Sequence, residues 1–110
     1  MSPLSITYGT ATQSKVHEIY VEDYLVAKAT LTASFKYYKA TDYISCTSKS
    51  KNMYVKSGSS TYFNNIELGT TSGGGTFFKS YVTASLSYGY GIAGATNTIK
   101  IKCKSDGTIS

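Results

Sequence analysis

The sequence predicts an all-β chain folded as an antiparallel β-sandwich of about seven or eight strands, closed by one disulfide. Three observations carry that prediction. Apolar and polar residues alternate with a period of two, most plainly in LVAKATLTASFKYY at 25–38, as side chains do along a strand with one dry face. The 11 Tyr and 4 Phe suit a pleated surface better than a helix. Turn-forming clusters separate the apolar runs with no crossover helix between them, so the strands pair antiparallel.

The elements follow in order. Residues 1–14 are polar and loosely patterned, although Leu4, Ile6 and Tyr8 alternate as a short edge strand that Gly9 ends. Residues 15–21 set Val16, Glu18 and Tyr20 against His17, Ile19 and Val21 as a second short strand; a helical turn through Glu22 and Asp23 is the alternative. The strand at 25–38 would run roughly 46 Å, which calls for a bend or bulge near 29–32 that lets it serve both sheets. After a turn at 39–42, a strand at 43–48 places Ile44 and Cys46 on one face. A basic loop at 49–52, a short strand at 53–56, a turn at 57–60 and a strand at 62–68 come next. GTTSGGGT at 69–76 reads as a flexible glycine loop, and no Gly-Lys-Ser/Thr follows to make it a phosphate loop. The second long strand, 77–88, turns Phe78, Val82, Ala84, Leu86 and Tyr88 inward. A glycine-rich connection at 89–97 leads to 98–104, where Ile99, Ile101 and Cys103 alternate with Lys100, Lys102 and Lys104. Asp106 and Gly107 turn the chain into a tail at 105–110.

At 110 residues the chain makes one domain over 1–110 with one core. Charged residues are 15% of it, against about 25% ordinarily; Ser, Thr, Gly and Tyr take their place. The net charge is +5 and every basic residue is Lys. Specific nucleic-acid readers rely on the bidentate fork of Arg. A Lys-only surface therefore speaks against them and for loose attraction to anionic polymers, or simply for protected strand edges. The apolar runs are too short for a transmembrane helix, and the start at Met1-Ser2-Pro3 reads as what remains after a secretion signal is removed.

Cys46 and Cys103 fit neither a CxxC redox motif nor a zinc spacing. Both sit on inward parity beside an Ile. An even cysteine count in a small Ser/Thr-rich β domain implies a Cys46–Cys103 disulfide and an oxidising compartment; two separate buried thiols are the alternative. Such a bridge would be worth about 4 kcal/mol on the chain-entropy model. The cysteines also belong to an internal echo. TASFKY at 32–37 returns as TASLSY at 83–88, and each copy is followed by Ile-x-Cys-x-Ser, at 44–48 and 101–105.

Strand spacing, the Ser/Thr/Tyr/Gly bias and the terminal I-x-C-K-S-D-G at 101–107 make the chain similar to small exported bacterial domains with an immunoglobulin-like sandwich. The resemblance implies a corner tyrosine, loosely matched by Tyr88, while the buried Trp of antibody domains is absent. It brings no functional residues with it.

No catalytic constellation, cofactor motif or metal set stands out. His17 has no evident partner for general-base work, and the six acids are scattered, without a local pair of the glycosidase kind. Glu22 and Asp23 are too sparse for calcium. Two features suit binding. Lys100, Lys102 and Lys104 form a charge stripe at about 7 Å spacing, joined by Lys49, Lys51 and Lys56, that matches an anionic wall polymer or acidic lipid; a solvated edge is the plainer role. In Tyr88-Gly89-Tyr90-Gly91, glycines leave Tyr88 and Tyr90 free to meet sugars or proteins; core packing is the plainer role. These readings converge on a secreted, non-enzymatic binding or adhesion module at a bacterial surface. Its partner would be an anionic cell-wall polymer, a glycan or another surface protein. A structural subunit of a surface assembly joined by strand edges and a small secreted toxin or bacteriocin are the alternatives.

Overall fold

A computed structural model describes residues 8–58, 63–74, 80–91 and 96–110. Strands β1 (Gly9–Val21), β2 (Tyr24–Tyr38) and β3 (Tyr43–Val55) form one antiparallel sheet. Strands β4 (Phe63–Gly73), β5 (Tyr81–Tyr90) and β6 (Thr96–Lys104) form the other. Each sheet is a meander in chain order, and no Greek-key crossing of the immunoglobulin kind occurs among the described strands. The two echo segments lie in β2 and β5, which are the central strands of their sheets. Each Ile-x-Cys-x-Ser begins in the strand that pairs next, β3 or β6.

Period-two burial places the core as the sequence predicts. Leu31, Phe35, Val82, Leu86, Ile99 and Ile101 belong to one buried cluster fed by both sheets, together with Ala29, Ala33, Ala84, Tyr88 and Cys103. Burying each large aliphatic or aromatic side chain contributes about 1.5–3 kcal/mol. Strands of up to 15 residues at about 3.3 Å per residue make the molecule long: it measures 64 × 26 × 21 Å, with a radius of gyration of 17.5 Å against about 13 Å for a compact chain of this length.

Six strands lie among the described residues. Several expectations are corrected. Leu4, Ile6, Tyr62, Phe77, Phe78 and Gly94 lie outside the described residues. The long strand β2 has no bulge at 29–32 and serves one sheet only. Its irregularities fall where β3 slips beside Ser34 and Phe35, and where β1 slips at Ile19 and Tyr20. The basic loop at 49–52 is strand interior, because β2 offers a continuous ladder from Thr30 to Ala33 that backbone pairing completes whatever the side chains. The glycine loop likewise starts later than its composition suggests: Gly69 and Gly73 are paired with Ser85 and Tyr81 inside β4. Tyr81 lays its ring over Gly73, and Tyr37 does the same over Gly9, so a neighbouring aromatic supplies the packing each glycine lacks.

The disulfide is also corrected. Cys46 and Cys103 are free thiols, half-buried and buried respectively. Cys46 Sγ donates to the Ser48 carbonyl at 3.3 Å and Cys103 Sγ to that of Lys104 at 3.5 Å. Both point inward, as their parity requires, but from strands that are not packing partners: β3 faces β5 and β4, whereas β6 faces β1 and β2. Without the bridge, the sheets are held by the apolar core and by polar contacts at the edges and ends.

The edge contacts come from lysines that face inward. Lys15 of β1 stands opposite Leu31 in the ladder, and Lys49 of β3 opposite Ala33. Lys15 Nζ crosses to donate to the Lys100 carbonyl at 2.7 Å, and Lys49 Nζ to Thr70 Oγ1 at 2.6 Å. A charged side chain on the inner face of an edge strand keeps that edge from adding another strand.

Candidate functional site

The two ends of the molecule differ. At one, the chain leaves β2 through a 3-10 turn (Lys39–Thr41) that Asp42 closes in the left-handed region at φ 55°. That conformation turns the Asp42 carboxylate toward the other sheet. Oδ2 accepts the Ser80 hydroxyl at 2.7 Å, while Oδ1 accepts the Ser80 N–H at 3.2 Å and the Ser105 hydroxyl at 2.5 Å. Ser105 N–H in turn donates to the Ser80 carbonyl. These donors, Ser105 first, hold the Asp42 carboxyl below its ordinary value. The tail beyond β6 folds back beside this end, with Lys102 and Ser110 exchanging two backbone hydrogen bonds.

At the other end the sheets part into an open groove of about 580 Å³, lined by Val16, His17, Glu18, Ile19 and Tyr20 of β1, Tyr88 and Tyr90 of β5, and Asn97 of β6. His17 stands opposite Ala29, hence on the inner face, and its Nδ1 lies 2.9 Å from the Tyr88 hydroxyl. The partner that the sequence did not disclose for His17 is therefore a phenol 71 positions away. Tyr88 is 3% exposed and burial raises its hydroxyl above the ordinary value. Phe63 packs edge-on against Tyr88 at 5.4 Å and tilted against Tyr90 at 5.2 Å. At the rim, the charge of Glu18, followed by burial, raises the Tyr20 hydroxyl above its ordinary value.

The predicted binding residues are treated unequally. Tyr88 and Tyr90 do meet at the groove, but not as freely hinged rings. Gly89 lies inside β5, and the Asn64 side chain occupies the place its Cβ would take. Tyr88 is a core residue that gives the groove its hydroxyl; Tyr90 is half-buried and forms part of the wall. The lysine stripe lies on the outer face of β6, opposite Ser85, Thr83 and Tyr81. It is not three equivalent ammoniums, because Lys102 Nζ sits 4.1 Å above the Tyr81 ring. Lys49, Lys51 and Lys56 do not join it: Lys49 and Lys51 belong to β3 of the other sheet and Lys56 follows that strand. His17, Ile19 and Asn97 were legible as inward or strand-end residues, but nothing local marked them as one surface.

The lining combines aromatic rings with an imidazole, a carboxylate and an amide. Rings offer flat apolar faces, while the polar groups fix orientation by hydrogen bonding. Glu18 is the one carboxylate among the described lining residues. No helix among the described residues is long and apolar enough to cross a membrane. Comparison with protein-family models, with curated proteins and with solved structures finds no match to this chain.

Proposed function

We propose that this protein is a non-enzymatic binding module acting outside the cell at a bacterial surface, with a neutral glycan as the ligand of the groove. The observation that carries the reading is the joint lining of the groove by Tyr88, Tyr90, His17, Glu18 and Asn97. A pyranose ring has an apolar face for stacking and a rim of hydroxyls that both donate and accept. The groove answers both needs, with the half-buried Tyr90 and exposed Tyr20 rings for the first and the His17 imidazole and Asn97 amide for the second. Against hydrolysis, a lone carboxylate cannot supply the acid and nucleophile that glycoside cleavage ordinarily takes from two. The address outside the cell is supported by composition, in which Ser, Thr, Gly and Tyr replace charge.

The competing ligand is an anionic wall polymer held by Lys100, Lys102 and Lys104. Titration with neutral cello-, xylo- and chito-oligosaccharides, followed by calorimetry, separates the two. Saturable heat that Tyr90→Ala lowers at least tenfold, and that Lys100→Ala leaves alone, supports the groove. Absence of heat with all three series, alongside salt-sensitive retention on teichoic acid that Lys100→Ala weakens, overturns it in favour of the stripe. Assembly through strand edges is the less favoured alternative, since Lys15 and Lys49 guard both edges of the first sheet.

A further inference from the structure

The edges of the first sheet are guarded by Lys15 and Lys49, but its ends are not. The β1–β2 hairpin closes through Glu22 and Asp23, both left-handed at φ 50° and 70°. That is the arrangement of a two-residue hairpin turn normally built from Asn-Gly or Asp-Gly. Glu22 is thus kept in a conformation uncommon for its type, while Asp23 is of a type that accepts it. Around them Tyr20, Val21 and Tyr24 are 56%, 50% and 69% exposed. Glu18 faces Lys28 across the ladder, whereas Glu22 and Asp23 lie beyond its last pair, Val21 with Tyr24. The tip of this end is therefore acidic and aromatic, with Lys56, whose N–H donates to the Val26 carbonyl, set back from it.

The opposite end is aromatic and basic. Tyr8 packs against Tyr38 at 5.4 Å and Tyr43 at 5.7 Å, and Lys36 Nζ rests 4.1 Å above the Tyr8 ring. Lys39 and Lys104 stand exposed nearby. Of the acids at this end, Asp42 is turned onto Ser80 and Ser105. Asp106 is held by the Thr108 N–H and offsets part of the lysine charge.

We propose that the acidic hairpin tip of one molecule docks on the lysine-and-tyrosine end of a second copy of this chain. The contact is head to tail, so it repeats into strings rather than closing as a dimer. It is independent of the glycan reading. The 26 × 21 Å cross-section limits the contact to on the order of 500 Å² per partner, below the usual 800 Å². Association is therefore weak and concentration-dependent. The net charge of +5 repels copies at low salt, whereas about 0.15 M salt screens that repulsion beyond about 8 Å and spares groups in contact.

The test is sedimentation velocity of the full chain from 10 µM to about 1 mM in 0.15 M salt. The expected result is a weight-average mass that climbs with concentration above 11.8 kDa. Glu22→Asn with Asp23→Asn removes the charge while easing the turn, because Asn accepts the left-handed region. That variant and Tyr24→Ser should each weaken association at least tenfold, whereas Glu67→Gln, which removes an exposed acid within β4, should not. A constant monomer mass at 1 mM overturns the proposal. So does comparable weakening by Glu67→Gln, which would make the effect one of overall charge.

Discussion

At the Asp42 end, a carboxylate from one sheet takes three hydrogen bonds from serines of the other. At the His17 end, the sheets meet through an imidazole–phenol contact beside an open groove. Both contacts join side chains far apart in sequence, yet they differ in what they leave over. The carboxylate is consumed by its partners. The groove keeps the His17 imidazole and the Asn97 amide in its open lining. Ligand-binding elements are drawn from the less fastened parts of a fold, so the contrast fits the proposal that one end serves stability and the other recognition.

The largest break in that contrast comes from beneath the fastened end. Phe35, fully buried and opposite Cys46 in the ladder, fills the core close to the Asp42 turn. Phe35→Ala should cost about 3–5 kcal/mol, read as a lowered urea midpoint. A loss under 1 kcal/mol would mean that the core near this end is not closely packed.

Acid separates the ends next. The Asp42 carboxyl titrates below its ordinary 3.8 when folded. The stability it contributes is thus complete above that unfolded value and is lost as pH falls through the folded one. Asp42→Asn, which tolerates the left-handed turn, should be less stable than the parent at neutral pH and should lose less on acidification from pH 5 to 2. Some slope should survive, because Asp106 is shifted in the same direction. Parallel acid limbs in the two proteins would remove Asp42 from the fastening.

The smallest effect belongs to Tyr88. Burial raises its hydroxyl above 10.0, so its contribution is complete below that pH and fades as pH rises through the folded value. Tyr88→Phe should cost about 0.5–1.5 kcal/mol at pH 7 and flatten the alkaline limb. Cys103, raised above 9.0 by burial and then by Asp106, should keep part of that slope. An unchanged alkaline limb would show that burial of the Tyr88 hydroxyl does not couple to folding.

How much of this was readable in one dimension varies by element. β2 was legible almost to the residue, because eleven of its positions, 27–37, alternate without interruption and strands pair with it on both sides. β3 and β4 were read as broken because polar and glycine-rich stretches mimic loops; each is in fact an edge strand whose course is dictated by the central strand beside it. The disulfide inference used parity correctly and partnership wrongly. Parity said that Cys46 and Cys103 face inward, but it could not say that β3 and β6 lie over different neighbours. Lys15 and Lys49 are the reverse case: they occupy inward positions that the pattern would give to apolar residues, and their purpose appears only when the facing sheet supplies an acceptor.

The chain by itself determined which side chains point into the protein and which point out, since a strand's two faces follow from local backbone geometry and need no distant partner. Only the tertiary structure decided which inward faces meet. The pairings of Asp42 with Ser80 and Ser105 and of His17 with Tyr88, and the separate surroundings of the two thiols, depend on how one three-stranded meander is laid across the other. That placement is settled by the packing of whole faces and leaves no trace in the spacing of any short stretch.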